Sequence, residues 1–392
     1  MKTITTVQDL AINGAGPAFD LPLHVGRPNI GSRDAFMKYA DDIFERCWLS
    51  NNGPLVQEFE RRVADYHRVK HCVAMCNGTI ALEIAIRALG LSGEVIVPSY
   101  TFIATAHALH WQAITPVFAD IGERTHTLDP EAVRRMITPR TSGIIGVHLW
   151  GRSAAVEALQ AIADEFGLKL LFDAAHAFAC SHRGAMIGNF GDCEVFSFHA
   201  TKFFNTFEGG AVVTNDDALA EAMRLMRNFG FSGLDNVIYP GTNGKMVEIA
   251  AAMGLVNFDA IDAVVEANRR NYCAYRKELA DLPGISLLPF DETERNNYQY
   301  VVIEIGADCP VGRDRMIEAL CAENILARKY FWPGCHNMQP YRALYPHAGL
   351  LLANTRQVAD RVVVLPTGTS VDEATIRTVA SVIRVLIAAG DA

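Results

Sequence analysis

A lysine set among aromatic residues is the first chemically capable feature of this chain. Lys202 stands in SFHATKFFNTFEGGAVVTND (197–216), between a strand-like run and a glycine pair, with Phe198, Phe203, Phe204 and Phe207 around it. A loop lysine is ordinarily a solvated charge. Apolar neighbours oppose that state, and a desolvated ammonium gives up its proton more readily. The neutral amine is a nucleophile that forms Schiff bases with carbonyl compounds, which suits an aldehyde cofactor. Upstream, Asp173 closes the apolar run of LLFDAAHAF. A carboxylate at the end of a buried strand in an α/β sheet points into the ligand crevice. It also serves as an N-cap for a following helix. A Schiff-base lysine paired with an acid that keeps a pyridine nitrogen protonated is what pyridoxal phosphate chemistry requires.

A third element is CNGTIALEIA (76–85), where Gly78 and Thr79 fall between a strand and a helix. Backbone amides at the positive end of a helix bind phosphate, although Gly-Thr is also a common cap. Phe102, in PSYTFIATAHA (98–108), has the flat face that stacks on a planar ring, and equally the size of a core aromatic. Taken together and in this order, the phosphate-binding turn, carboxylate and lysine are far more specific than any one alone.

These residues need strands and helices to hold them. Short β-branched runs occur at 72–76, 94–98, 116–120, 142–149 and 168–176, and segments of helical spacing such as 80–89 and 154–167 lie between them. That alternation predicts βαβ units and a mostly parallel sheet. The runs at 193–198 and 210–216 lie closer together, which predicts one antiparallel strand or hairpin. Beyond residue 250 the texture becomes helix, strand, helix: one long helix over 251–282, a strand over 297–305, a helix over 314–324 and a closing helix over 374–389, with 331–349 the most loop-like stretch. The expected organisation is a large domain over 1–250, including an N-terminal arm, and a smaller α+β domain over 251–392 that shares a cleft with it.

Composition excludes several classes of function. The chain has 392 residues, half of them hydrophobic, and a formal net charge of −9. Disorder over most of its length is excluded. An acidic protein gains no counterion release on nucleic acid, and neither nucleic acid nor membrane is an expected partner. No apolar stretch reaches the length of a membrane span, and the N-terminus lacks the apolar region of a secretory signal. Nine scattered cysteines are not a disulfide framework, and Cys72 and Cys76 read as packed, reduced thiols. The expected location is cytoplasmic, with no bound metal.

At these motifs the chain resembles the DegT/DnrJ/EryC1/StrS family of sugar aminotransferases, which are fold type I pyridoxal phosphate enzymes. The matching stretches are NGTIALEIAIRALG, VIVPSYTFIATAHA, PVFADI, FDAAHAF, SFHATKFFNTFEGGAVVTND, GTNGKM and RKYFWPGCH, spread over nearly the whole chain. The resemblance implies an α/β, fold type I transferase with a mostly parallel central sheet. It makes Lys202 the Schiff-base lysine, Asp173 the partner of the pyridine nitrogen, Phe102 the stacking residue and His176 a neighbour of the ring oxygen. Gly78, Thr79 and Ser197 become phosphate ligands. Asn243 would reach the phosphate from the neighbouring subunit, because family members are homodimers with shared sites. A relative that dehydrates at C-3 carries histidine at the lysine position; Lys202 therefore favours transamination.

The family splits by the sugar carbon that receives the amine. His199, Ala200 and Thr201 followed by FEGG resemble the C-4 group, as do HVGRPNIG (24–31) and RKYFWPGCH (328–336), matching enzymes acting on dTDP-linked 4-keto-6-deoxyglucose. The implied reaction takes an amino group from L-glutamate, through pyridoxamine 5'-phosphate, to the C-4 keto carbon of a nucleotide-linked sugar. Anionic substrates require local cations on an acidic protein. Arg27 and Lys329 are the candidates for diphosphate or sugar contacts, while Arg227, Lys245 and Arg328 read as solvated charges. Glu208 either faces the sugar or caps a turn, and His336 is either a substrate contact or a satisfied loop histidine. The rival readings are a C-3 sugar or cyclitol-type aminotransferase on the same scaffold, and a non-catalytic nucleotide-sugar-binding protein.

Overall fold

The computed structural model describes residues 2–390. The apolar runs form a seven-stranded sheet from β1 (His71–Met75), β2 (Glu94–Pro98), β3 (Thr115–Ala119), β4 (Thr141–Val147), β5 (Lys169–Asp173), β6 (Cys193–Ser197) and β7 (Gly210–Thr214). Its spatial order is β1-β7-β6-β5-β4-β2-β3. Neighbours are parallel except at β7, which runs antiparallel to both β1 and β6, in register Ser197↔Gly210 with the latter. The short link between those two runs is thus an antiparallel connection, as the spacing predicts. Both faces of the sheet are covered, which is why its strands read as continuous apolar runs rather than alternating ones.

Helices α1 (Arg33–Arg46), α2 (Pro54–His67), α3 (Gly78–Ala88), α4 (Ala104–His110), α5 (Val156–Phe166) and α6 (Asp217–Met226) accompany the large sheet. Their starts are locally encoded. The Asn77 side chain accepts from Ile80 N at 2.8 Å to cap α3, and Asp216 caps α6 through Leu219 N. On one face of the sheet Leu82, Ile86, Val97 and Val195 share a core; on the other Phe172, Ile144 and Leu159 share another.

The run 251–282 is not one helix. It is divided between α7 (Glu248–Asp259) and α8 (Ile261–Leu279), with Ala260 at φ −102°, ψ −2° between them. The first turn of α8 still joins the core of α7 through Ile261 and Val264, and the rest of α8 serves the small core. Ala250, Ala251 and Leu255 pack with Phe59 of the large unit, whereas Tyr275 and Leu279 pack with Ile376 and Val379 of the small one. No glycine or proline marks the break, and the boundary drawn at residue 250 falls inside α7.

The small unit holds a three-stranded antiparallel sheet of β8 (Ile285–Leu287), β9 (Val301–Ile305) and β10 (Val362–Leu365), with α9 (Arg313–Ala322) and α10 (Glu373–Ala389). Only the second half of the expected strand at 297–305 pairs; residues 297–300 are buried but irregular. The N-terminal arm belongs with this unit by its packing. Ile4, Leu10, Ala18 and Leu23 lie in the small core, and Leu23 pairs in parallel with Ile325. Buried Glu323 accepts from Ala11 N at 2.5 Å and Ala18 N at 2.7 Å, which fixes the arm there.

All nine cysteines are free thiols. Among the described residues no helix is long and apolar enough to cross a membrane, and no group of three or more His, Cys, Asp or Glu is placed to hold a metal ion.

Candidate active site

A cavity of about 500 Å³ opens where β2, β4, β5 and β6 end and α3 begins. Asp173, His176, Lys202, Gly78, Thr79, Ser197, Phe102 and Glu208 all line it. The sheet explains the convergence, since parallel strands deliver their C-terminal ends to one edge.

Asp173 forms the floor. It is 5% exposed; its Oδ2 accepts from the Thr105 hydroxyl at 2.8 Å and its Oδ1 from Ala175 N at 3.1 Å. Burial raises its pKa, while those two donors, the Lys202 charge and His148 act in the opposite direction. Burial pulls the Lys202 amine down to about 8, against the Asp173 carboxylate, which holds it up. Lys202 keeps some accessible surface, as a cavity-lining residue does. His176 is buried, and burial together with the Lys202 charge holds its pKa well below the usual value.

The start of α3 fits a phosphate. Ile80 N is used by the Asn77 cap, while the amides of Gly78 and Thr79 donate to nothing among the described residues. Free amides at a helix N-terminus are an anion site. Space there is created by glycine: a Cβ on Gly210 would lie 2.6 Å from Asn77 C and Gly78 N. Ser197, opposite Gly210 in the ladder, completes the cradle. Phe102 stands 58% exposed beside Phe331, its ring free to cover a planar ligand. At the mouth His199 Nε2 lies 3.4 Å from Glu208 Oε1.

A nucleophilic amine near neutrality, a buried carboxylate and an anion cradle share one cavity. The sequence model of the DegT/DnrJ/EryC1/StrS aminotransferase family matches residues 32–384. The chain belongs to this aminotransferase family. It is 37% identical over 357 residues to a dTDP-4-amino-4,6-dideoxy-D-glucose transaminase of Escherichia coli, covering 90% of this chain and 96% of that one. A Shigella dysenteriae protein of the same name is 36% identical over 345 residues, covering 88% and 94%. The solved structure of DesI in the presence of its TDP-sugar product superposes with a TM-score of 0.93 at 51% identity, covering 97% of each chain.

Four candidate residues lie outside the cavity of this aminotransferase. Arg27 and Asn243 are exposed on loops. Lys329 lines a neighbouring groove with Arg328 and Trp332; its ammonium is 2.9 Å from Asp314 and lies over the Trp332 ring. His336 is 3% exposed, its Nδ1 2.7 Å from Ser99 Oγ, and it anchors the 331–349 segment beside the end of β2. Arg227 is not solvated either: it is buried in an ion pair with Glu60 and donates to Ala74 O at 2.7 Å.

The aminotransferase cavity also has walls that sequence reasoning missed. Thr101, Thr105, His148, His199, Tyr300, Tyr330 and Phe331 line or brace it. Thr105 is one helical turn from Phe102, a spacing that could have flagged it. Tyr300 comes from the small unit and carries no local signal, whereas His199 lies in SFHATKFF and Tyr330 and Phe331 in RKYFWPGCH, stretches that carry the family resemblance but gave these residues no role.

Proposed function

We propose that this aminotransferase uses pyridoxal 5'-phosphate to move an amino group from L-glutamate to the C-4 keto carbon of a dTDP-linked 4-keto-6-deoxyhexose. The observation that carries the cofactor is the placement of Lys202, Asp173 and the unpartnered Gly78 and Thr79 amides on one cavity. The names of the Escherichia coli and Shigella dysenteriae relatives support the C-4 position and the nucleotide.

Bound there, pyridoxal phosphate supplies an electrophilic aldehyde and a ring that withdraws electrons. The chain's own groups do the rest. The Gly78 and Thr79 amides with Ser197 would hold the phosphate, Phe102 would cover the ring, and Asp173 would keep a proton on the ring nitrogen. Lys202 Nζ acts as the nucleophile. The same amine would carry a proton to and from the reacting substrate carbon, a role open to a group whose pKa is brought down to about 8. The surrounding walls of Tyr300, Tyr330 and Phe331 keep bulk water from that proton.

A homodimer fits the surface. Trp48, Leu49 and Val247 are exposed apolar residues brought together by the Glu248 N to Leu49 O bond, and the Asn243 loop lies next to them in the chain. In the dimer Asn243 reaches the phosphate of the neighbouring site. Nine free thiols suit a reducing cytoplasm.

The deciding experiment incubates the cofactor-loaded protein with dTDP-4-keto-6-deoxyglucose and L-glutamate and locates the new amine by NMR. An amine on C-4 supports the proposal. An amine on C-3, or no transfer to this sugar, overturns it.

A further inference from the structure

The loop that carries Lys202 is tied down from outside itself. Within the loop, Lys202 N donates to His199 O and Thr206 N to Phe198 O, each at 2.9 Å. The carbonyls at 201, 203 and 205 accept side-chain amides from three other parts of the chain. Gln299 Nε2, just before β9, donates to Thr201 O at 3.4 Å. Asn29 Nδ2 of the arm donates to Phe203 O at 3.1 Å, and Asn257 Nδ2 of α7 donates to Asn205 O at 2.8 Å.

Asn29 is the centre of this arrangement. Its main-chain oxygen accepts from Asn205 Nδ2 at 2.8 Å, and its Oδ1 accepts from Thr369 N at 3.0 Å and from the Thr369 hydroxyl at 2.9 Å. One side chain thus joins the lysine loop to the small unit. Asn257 Oδ1 accepts from Gly31 N at 2.8 Å, so α7 holds the arm and the loop at once. The arm also lies directly on the loop, since a Cβ on Gly26 would fall 2.8 Å from Thr201 Cβ. Asn29, Asn257 and Gln299 are each no more than 6% exposed. A carboxamide that deep is costly to leave unpaired, so these bonds resist loop movement from both ends.

We propose that Asn29, Asn257 and Gln299 are positioning residues for Lys202: their carboxamides fix the carbonyls around the lysine and keep its amine over the cavity floor, away from bulk water. This rests on the reading of Lys202 as the nucleophile that takes up the cofactor. A lysine stem is long and flexible, and misplacement of a reacting group by about 1 Å can cost roughly 100-fold in rate.

The proton affinity of the amine reports its placement without any cofactor. Asp173 and His176 face the cavity with Lys202 from the large unit, Tyr300 and Tyr330 from the small one, and His199 and Glu208 from its own loop. Burial outweighs the Asp173 charge in setting the Lys202 pKa, so a loosened loop that admits water raises it.

The test is competitive labelling of the cofactor-free protein with trace acetic anhydride across pH, the Lys202 peptide being quantified by mass spectrometry. Asn29→Ala is expected to move the midpoint upward from about 8, by roughly tenfold in proton affinity. In the cofactor-loaded protein it is expected to lower kcat roughly 10- to 100-fold with KM for the nucleotide sugar unchanged. Asn189→Ala is the control. It removes a carboxamide that donates to His67 O at 2.8 Å and Met186 O at 3.0 Å, away from the loop, and is expected to lower Tm without moving the midpoint. A folded Asn29→Ala protein whose Lys202 labels like the wild type overturns the proposal. So does an equal shift in Asn189→Ala, which would make the effect general loosening. If Asn29→Ala does not fold, Asn257→Ala decides by the same labelling, and an unmoved midpoint there overturns the proposal. A wild-type chain that takes up no pyridoxal phosphate overturns the cofactor reading, while the labelling still tests the placement of the amine.

Discussion

The Thr105 hydroxyl donates to Asp173 Oδ2 across 2.8 Å inside the protein, so a helix residue to which the sequence assigned no role sets the carboxylate on the cavity floor. Thr105 lies in α4, the helix that follows Phe102, and so the same turn of chain supplies the cavity's roof and the brace for its floor.

Thr105→Val tests that brace. It keeps the shape and removes the donor that opposes the burial-driven rise in the Asp173 pKa. A less acidic carboxylic acid loses its proton less readily and is weaker as a charged partner for a protonated ring nitrogen. Loss of one hydrogen bond to a charged group is worth about 1.5–3 kcal/mol, or roughly a 10- to 100-fold fall in kcat. Thr105→Ser retains the hydroxyl and is expected to recover most of the loss. Steady-state kinetics on both variants checks this, and a valine variant with wild-type kcat would show that Asp173 needs no brace.

Gly210→Ala is expected to damage cofactor binding. The added Cβ would fall 2.6 Å from main-chain atoms of Asn77 and Gly78, which cannot move without dragging the start of α3. Overpacking of this kind costs about 1–3 kcal/mol. Equilibrium titration with pyridoxal phosphate is expected to show at least a roughly tenfold weaker Kd, with a lowered Tm for the cofactor-free protein.

Much of this architecture is legible in the sequence because it is locally encoded. The strand end at Asp173, the strand run 193–198 and the Gly78-Thr79 turn are read from a few neighbouring residues, and they fix one edge of a parallel sheet. Contacts across great sequence distance are not encoded locally. Tyr300 meets His176, and Asn29 donates to Phe203 O, only because the small unit and the arm fold over the large one. The break at Ala260 leaves no mark either, since alanine favours helix and neither glycine nor proline stands there. Charge is equally silent on depth: Arg227 reads as a loop cation, and its burial is visible only once Glu60 and Ala74 surround it.

Arg227→Met separates a structural cation from a ligand-binding one. Removing one partner leaves the Glu60 carboxylate, among the described residues, with only its bond from Ala74 N at 2.8 Å. Breaking such a pair typically costs about 3–5 kcal/mol. Denaturant unfolding is expected to show that loss, with KM for the nucleotide sugar unchanged in the folded fraction at low temperature. A raised KM with unaltered stability would instead make Arg227 a substrate contact.

The pH dependence of cofactor capture follows from Lys202. Only the neutral amine attacks an aldehyde, and burial brings its pKa down to about 8. Below that pH the protonated fraction grows and capture slows; above it the neutral form dominates and the rate levels. Stopped-flow mixing of the cofactor-free protein with pyridoxal phosphate is therefore expected to give a second-order rate constant that rises with pH and flattens beyond about 8. Asp173 is the charge that opposes the fall in the Lys202 pKa, so Asp173→Asn must shift the midpoint to lower pH. An unmoved midpoint would mean that the carboxylate is not felt by the amine, and the two groups would not share one electrostatic site. Lys202→Ala should leave no covalent product after borohydride reduction and lower turnover by at least the 10²–10⁴ typical of general acid–base groups.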